Sequence, residues 1–132
     1  MTMEPSPEYV ERQFQLADEA LDDPRYLLED NRLKAAANRA YYAMFHAVQA
    51  ALHQAQIRRP KTHGGTIRLF GTHFVRTRQV DRRFARDLQH AFHLRQQSDY
   101  EVFSVIGDDT IREITDKAQE FIAEVRKVIS DS

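Results

Sequence analysis

The chain has 132 residues, a size typical of one compact domain, and residues 1–132 are expected to form a single helical domain. It contains no cysteine, which excludes disulfides, thiolate zinc ligands and a cysteine nucleophile. Its formal net charge of -1 at pH 7 argues against a protein surface that is basic throughout and binds nucleic acid. A local basic patch is still compatible with this charge.

The first half of the chain predicts two long helices. Apolar residues recur at three- and four-residue steps, which is the periodicity of an amphipathic α-helix. The first helix is expected over residues 7–21, with Pro24 as the residue that breaks the pattern. The second and longest is expected over residues 31–57, where dense alanine favours helix and allows neighbouring helices to approach closely.

The second half predicts one short helix and two long ones. A turn at residues 60–65, which contains Pro60 and two glycines, precedes a short helix over residues 66–75. The third long helix begins near residues 80–81 and extends to Arg95, and residues 98–109 form the next connection.

The last helix begins after Asp109 or Thr110, and its apolar residues keep a 3-4-3-4 spacing from Ile111 to Val128. Four long helices with short connections predict an all-α, up-and-down four-helix bundle with one short extra helix. No apolar run approaches the roughly 20 residues that span a bilayer, and the N-terminal residues do not resemble a signal peptide. We therefore expect a cytoplasmic protein.

Arg95 raises the first functional question because it continues the apolar face of the third long helix. It lies eleven residues after Phe84, close to a whole number of turns at about 3.6 residues per turn. In a structural interpretation, the arginine stabilises the last carbonyls of the helix and pairs with Asp99. In a functional interpretation, it binds a phosphate, and Tyr100 donates a hydrogen bond beside it.

A polar stripe on the second long helix is the other candidate surface. Its members recur at steps of three and four residues: Arg39, Tyr42, His46, Gln49 and His53. The stripe is either a solvated helix face or an anion- or RNA-binding surface. In the second case Arg39 binds phosphate, while Tyr42 and His46 stack on a base or hydrogen-bond to it.

The six histidines do not form a recognisable metal motif. His90 and His93 share a helix face, but there is no HExxH motif and no third ligand at a suitable spacing. No serine nucleophile elbow, phosphate-binding loop or dinucleotide fingerprint occurs either. The sequence therefore predicts neither a metal site nor a bound cofactor.

Three stretches together resemble the HEPN domain family, particularly its small, stand-alone bacterial and archaeal members. They are AANRAYYAMFHAVQAAL at 36–52, KTHGGTIRLFGTHFV at 61–75 and AFHLRQQSDY at 91–100, and the resemblance extends over roughly residues 8–130. It implies a helical bundle that forms a symmetric homodimer, often with a nucleotidyltransferase encoded beside it. It also implies a toxin–antitoxin system, because many members are toxins that cut RNA without a metal.

The resemblance assigns roles to the end of the third long helix, where the family carries an arginine followed four to six residues later by a histidine. Arg95 takes the place of that arginine and would hold the scissile phosphate, with Asp99 orienting it. Tyr100 takes the place of the histidine, and Gln96 stands where Asn, Asp or His is common. Tyr100 would contact the same phosphate or receive nucleotides from the nucleotidyltransferase, with Arg39 and His46 lining the cleft.

The missing motif histidine matters chemically. In metal-free RNA cleavage a base takes the 2′-hydroxyl proton and an acid protonates the leaving oxygen. Histidine suits both tasks because its ordinary pKa is near 6.5, whereas that of tyrosine is near 10. Ribonuclease activity is therefore weak or lost, or another histidine substitutes, with His46 and His93 as candidates.

Three functions follow from the sequence. The leading one is an RNA-binding HEPN toxin–antitoxin component, with or without cleavage, that a partner nucleotidyltransferase regulates. The alternative is a non-catalytic module that binds a nucleotide or a protein through Arg95 and the polar stripe. The third is a purely structural dimer subunit of a nucleotidyltransferase complex.

Overall fold

The computed structural model describes residues 4–29, 32–100 and 107–131, with the side chains of 23–29 and 99–100 left out. These residues form five α-helices and one π-helical turn, with no strand among them, so the all-α prediction is confirmed. The helices are α1 (Pro7–Glu29), α2 (Leu33–Gln54), α3 (His63–Phe70), α4 (Arg82–Tyr100) and α5 (Asp108–Ser130), and the π-helical turn Gly71–Val75 directly continues α3.

Helix α2 lies at the centre of the bundle and packs against α1, α3, α4 and α5. Its alanines explain this position, because small side chains let other helices approach on several sides. Seven of them are at most 1% exposed: Ala36, Ala37, Ala40, Ala43, Ala47, Ala50 and Ala51. A helix that is apolar over most of its circumference is one that the rest of the protein surrounds.

The apolar faces predicted from periodicity form the core. On α5 the face from Ile111 to Val125 is buried, and Val128 is packed against the core at its edge. Phe121 is fully buried, and its ring lies 5.4 Å from that of Phe70 and 6.3 Å from that of Phe84, measured between centroids. These contacts join α5 to α3 and α4 and hold the short helix against the bundle.

The prediction that Pro24 breaks the first helix is wrong, because α1 continues to Glu29. Proline fixes φ near -65°, which suits a helix, but it removes the hydrogen bond to the carbonyl of Ala20, at a cost of about 3 kcal/mol. Arginine, leucine and glutamate follow the proline and favour helix. The packing of α1 along α2 also stabilises the helix, and this tertiary contribution cannot be predicted from the local sequence pattern.

Helix α2 ends three residues earlier than predicted, and backbone geometry explains where. Gln56 has a left-handed backbone, with φ of 61°. Its N–H donates to His53 O at 3.0 Å, and the N–H of Ile57 donates to Leu52 O at 2.8 Å. This pair of bonds is a Schellman motif, which ends a helix by satisfying its last carbonyls.

Helix α3 begins at His63, so the prediction that residues 60–65 form only a turn is wrong at its end. Thr62 acts as the N-cap, and its Oγ1 accepts a hydrogen bond from Gly65 N at 3.0 Å. A capped first turn is stable despite two glycines, because the cap satisfies a backbone donor that the helix leaves unpaired.

The remaining boundaries differ from the predicted ones by at most five residues. Helix α4 extends to Tyr100 and so includes the start of the predicted connection. Helix α5 begins at Asp108 with Gly107 as its N-cap, two or three residues before the predicted start. The Asp108 carboxylate accepts a hydrogen bond from Arg112 Nε at 2.7 Å, one turn later, which supports the earlier start.

Candidate functional site

Arg95 lies half-buried against two tyrosines of α2. Its Nη2 donates a hydrogen bond of 3.4 Å to Tyr42 Oη. Its Cζ lies 5.4 Å from the ring centroid of Tyr42 and 5.6 Å from that of Tyr41. Both distances are within the range of cation–π attraction, so the two rings hold the guanidinium near the bundle surface.

His63 lies in the same group of side chains, brought there by the first turn of α3. Its Nδ1 and Tyr41 Oη share a hydrogen bond of 2.6 Å. The imidazole stacks on Phe45 with centroids 4.4 Å apart, and it is nearly parallel to the ring of Phe92, at 4° and 6.3 Å. We call these six residues the Arg95 cluster: Tyr41, Tyr42, Phe45, His63, Phe92 and Arg95.

Two local features place His63 there. The Schellman motif at Gln56 turns the chain away from α2. Thr62 then caps α3, and Gly65 must lack a side chain, since a Cβ there would lie 2.8 Å from Thr62 Oγ1 and 3.2 Å from Pro60 Cγ. The imidazole thus leaves the first helical residue of α3 towards α2.

The electrostatics of the Arg95 cluster keep both hydrogen-bonding partners neutral at pH 7. Burial raises the pKa of Tyr41 well above its ordinary value, although the Arg95 charge opposes this. Burial lowers the pKa of His63, and the positive charges of Arg95 and Arg59 lower it further. The Arg59 guanidinium lies beside the cluster, with Cζ 5.7 Å from the centroid of Phe45.

The predicted polar stripe of α2 faces α1 over part of its length and is not simply a solvated face. His46 Nδ1 donates to Gln13 Oε1 at 2.8 Å, and Ser6 N donates to His53 Nε2 at 2.9 Å. Burial lowers the pKa of His46. These bonds make the C-terminal part of the stripe, at His46 and His53, a contact between α2 and the N-terminal part of the chain.

The N-terminal part of the stripe, from Arg39 to His46, borders a small cleft of about 220 Å³ between α1 and α2. Arg39, Tyr42 and His46 line it, so the structure brings together the three side chains that sequence spacing grouped. Tyr42 belongs to both places, since it lines the cleft and accepts the hydrogen bond from Arg95. The cleft and the Arg95 cluster are therefore adjacent.

Asp99 and Tyr100 occupy the last turn of α4, but their side chains lie outside the described part of the structure. The roles predicted for them, orienting Arg95 and replacing the motif histidine, remain predictions. Of the histidines predicted to substitute, His46 hydrogen-bonds to α1 and His93 is exposed on α4.

His63 was missed by sequence reasoning, although a signal for it was present. The stretch KTHGGT places a histidine directly after a threonine that can cap a helix. Recognising the cap would have moved the start of α3 to His63. The hydrogen bond to Tyr41, 22 positions away in sequence, still depends on how α3 packs on α2.

The described residues contain no group of three or more His, Cys, Asp or Glu side chains placed to hold a metal ion. Likewise, no described helix is both long enough and apolar enough to cross a membrane.

Comparison with known proteins places this arrangement in a family. The HEPN domain model matches residues 10–128. A UPF0332 protein of Thermotoga maritima is 32% identical over 115 residues, covering 87% of this chain and 86% of that protein. A UPF0332 protein of Pyrococcus horikoshii is 41% identical over 85 residues, covering 64% of this chain and 59% of that protein's length.

A relative from Methanocaldococcus jannaschii, named "Putative toxin MJ0605", is 27% identical over 124 residues, covering 94% of this chain and 91% of that protein. This match extends over most of both chains. The chain belongs to the HEPN domain family.

Proposed function

We propose that this protein is the RNA-binding HEPN component of a toxin–antitoxin system and that Arg95 binds an RNA phosphate. The observation that carries the proposal is the placement of the Arg95 guanidinium, half-buried between the rings of Tyr41 and Tyr42 and close to His63. A guanidinium offers a planar fork of N–H donors that matches phosphate oxygens, while aromatic rings attract its flat face.

The neighbouring cleft supports a nucleic acid over a simple anion. Arg39 is exposed at its rim, and the half-buried Tyr42 and His46 line its wall. Aromatic and imidazole side chains beside arginines suit a single-stranded RNA, because unpaired bases stack on rings while phosphates meet cations. A nucleotide next to the one held by Arg95 would place its base near Tyr42.

The toxin–antitoxin context comes from relatives. Two Methanocaldococcus jannaschii proteins that match over most of this chain are named "Putative toxin MJ0605" and "Putative toxin MJ0142". We propose a nucleotidyltransferase as the regulatory partner, as the resemblance to small stand-alone HEPN proteins implies, and Tyr100 on the last turn of α4 as the residue that it modifies.

A symmetric homodimer is part of the proposal. A twofold interface repeats one surface patch, so it brings two copies of a site near that patch together. We expect the two Arg95 side chains to line a shared cleft. Sedimentation at micromolar concentration should show a dimer, and a monomer there would contradict this arrangement.

The test of the function is binding and cleavage of a fluorescein-labelled single-stranded RNA in EDTA. Arg95→Ala should lower affinity at least tenfold, and Arg95→Lys should restore little of it, since lysine lacks the planar fork. The matched control is Arg112→Ala, which removes an exposed arginine that pairs locally with Asp108 on α5. Equal affinity for the Arg95→Ala variant and wild type would contradict the proposal, provided both are folded.

The alternative is a non-catalytic module that binds a nucleotide or a protein partner. The presence of Tyr100 where the family has histidine favours it, because a tyrosine is a poor base at neutral pH. RNA that is bound through Arg95 but stays intact in EDTA would select this alternative.

A further inference from the structure

We propose that His63 is the proton-transfer residue of this site and that Tyr41 positions it through their 2.6 Å hydrogen bond beside Arg95. The inference rests on the proposed RNA function and deepens it. It assigns the acid–base group to α3, whereas the motif histidine of the family would lie on α4, at the position that Tyr100 occupies.

The hydrogen bond with Tyr41 engages Nδ1 of His63, and the tautomer of the imidazole decides which partner donates. The neutral ring can donate from Nδ1 to Tyr41 Oη, which leaves a lone pair on Nε2 to accept a proton. Nε2 has no hydrogen bond to any other residue in the described chain, and the side chain is partly exposed. A proton-accepting nitrogen is thus available next to the arginine.

Tyr41 is suited to a positioning role. It is fully buried, and its raised pKa keeps the phenol protonated, so the hydroxyl does not become a competing base. Its oxygen can accept from Nδ1 both before and after His63 gains a proton. The same hydrogen bond therefore persists through the reaction and stabilises the imidazolium.

The flanking aromatic rings restrict the orientation of the imidazole. Phe45 stacks on it at 4.4 Å and 22°, and Phe92 is nearly parallel to it. A ring stacked on one neighbour and bonded to a second has little rotational freedom. Such preorganisation is what acid–base catalysis requires, because proton transfer depends on alignment within hydrogen-bond distance.

The other histidines in the described chain are hydrogen-bonded to α1 or its N-terminal flank, or are exposed. His46 donates to Gln13, and His53 accepts from the backbone of Ser6, both on the α1 side of α2. His73, His90 and His93 are exposed. Among the histidines of the described residues, His63 alone contacts both Tyr41 and Tyr42, the two rings that hold Arg95.

The step assigned to His63 is the first half of metal-free RNA cleavage. Nε2 takes the proton of a ribose 2′-hydroxyl, and the 2′-oxygen forms a bond to the adjacent phosphorus. The bond from phosphorus to the 5′-oxygen breaks, and that oxygen keeps the electron pair and takes a proton from water. The products are a 2′,3′-cyclic phosphate and a 5′-hydroxyl, and His63 returns its proton to solvent.

The first experiment measures RNA cleavage in EDTA as a function of pH. His63→Gln should lower the rate by about 10²- to 10⁴-fold, the usual contribution of a general base, while RNA affinity changes less than threefold. Tyr41→Phe should lower it less and move the acidic limb of the pH–rate profile to lower pH, because the imidazolium loses its acceptor. His73→Gln, which changes an exposed histidine on the π-helical turn, should leave the rate and the pH–rate profile unchanged.

The second experiment needs no variant of His63. The imidazole of His63 is titrated by NMR with and without adenosine 3′-monophosphate. A phosphate dianion held by Arg95 should raise the pKa of His63, and Arg95→Ala should abolish that rise. A His63 pKa that does not move at saturating nucleotide would overturn the inference, even if His63→Gln failed to fold.

The outcomes separate the inference from the function it rests on. Undiminished cleavage by folded His63→Gln, or binding without any cleavage by the wild-type protein, overturns the role of His63 and leaves RNA binding in place. If the wild-type protein binds neither RNA nor the nucleotide, the proposed function fails and the role of His63 fails with it.

Discussion

Thr62 accepts a hydrogen bond from the backbone N–H of Gly65 at 3.0 Å, and this cap places the first turn of α3 against α2. The space beside this hydrogen bond cannot hold a side chain at Gly65, because a Cβ there would lie 2.8 Å from the accepting oxygen. His63 lies inside the capped turn, so the geometry of the cap and that of the candidate site are linked.

Gly65→Ala should therefore destabilise the protein and displace His63. The added methyl group pushes the threonine hydroxyl away, and loss of an N-cap bond costs about 1 kcal/mol. Gly64→Ala is the matched control, since a Cβ there has no neighbour within 4 Å and alanine favours helix by up to about 1 kcal/mol. Urea unfolding of both variants checks the prediction, and equal midpoints would contradict it.

Phe121→Ala should cost about 3–5 kcal/mol of unfolding free energy, because the ring is fully buried between α3 and α4. The comparison is Arg112→Ala on the exposed face of the same helix, where solvent screens a local ion pair and its loss should change stability little. Chemical denaturation gives both values. A loss below about 1 kcal/mol for Phe121→Ala would mean that the apolar face of α5 contributes little to the stability of the bundle.

The stability of the protein should decrease as the pH falls below about 6.5, the ordinary pKa of histidine. Burial lowers the pKa values of His46 and His63 in the folded state, so the unfolded chain binds more protons in this window. Stability then rises with pH and reaches its full value above the unfolded pKa.

Unfolding midpoints at pH 7.5 and pH 5.5 measure this dependence. His46→Gln should reduce the difference between them, because glutamine keeps a polar group opposite Gln13 and does not titrate. A wild-type protein that is more stable at pH 5.5 would contradict the direction.

Tyr100→His should raise metal-independent RNA cleavage, by about tenfold or more, if the absent motif imidazole limits the reaction. The change installs a group that titrates near neutrality on the last turn of α4, where it can protonate the leaving oxygen. Tyr100→Phe is the control, since it removes the hydroxyl without adding a base. Cleavage that stays absent in all three proteins while RNA binding persists would favour a binding module.

Much of the fold could be read from the sequence, because helix formation and amphipathic patterning are local. The 3-4 spacing from Ile111 to Val125 identified the buried face of α5, and the alanines of α2 indicated close packing. The errors fell where local signals compete with packing or capping. Pro24 predicted the end of the first helix, but α1 continues past it to Glu29. The two glycines at 64 and 65 predicted a turn, but Thr62 caps a helix that includes both of them.

The sequence by itself also determined that Arg95 continues an apolar face and that Arg39, Tyr42 and His46 share a stripe, since both follow from helical periodicity. Only the tertiary structure decided what meets Arg95. Tyr42 is 53 positions away from it and Tyr41 is 22 positions away from His63, so three separate helices must pack before these side chains touch. Periodicity defines faces within one helix, whereas the distance between faces of different helices depends on packing and on the caps that orient α3.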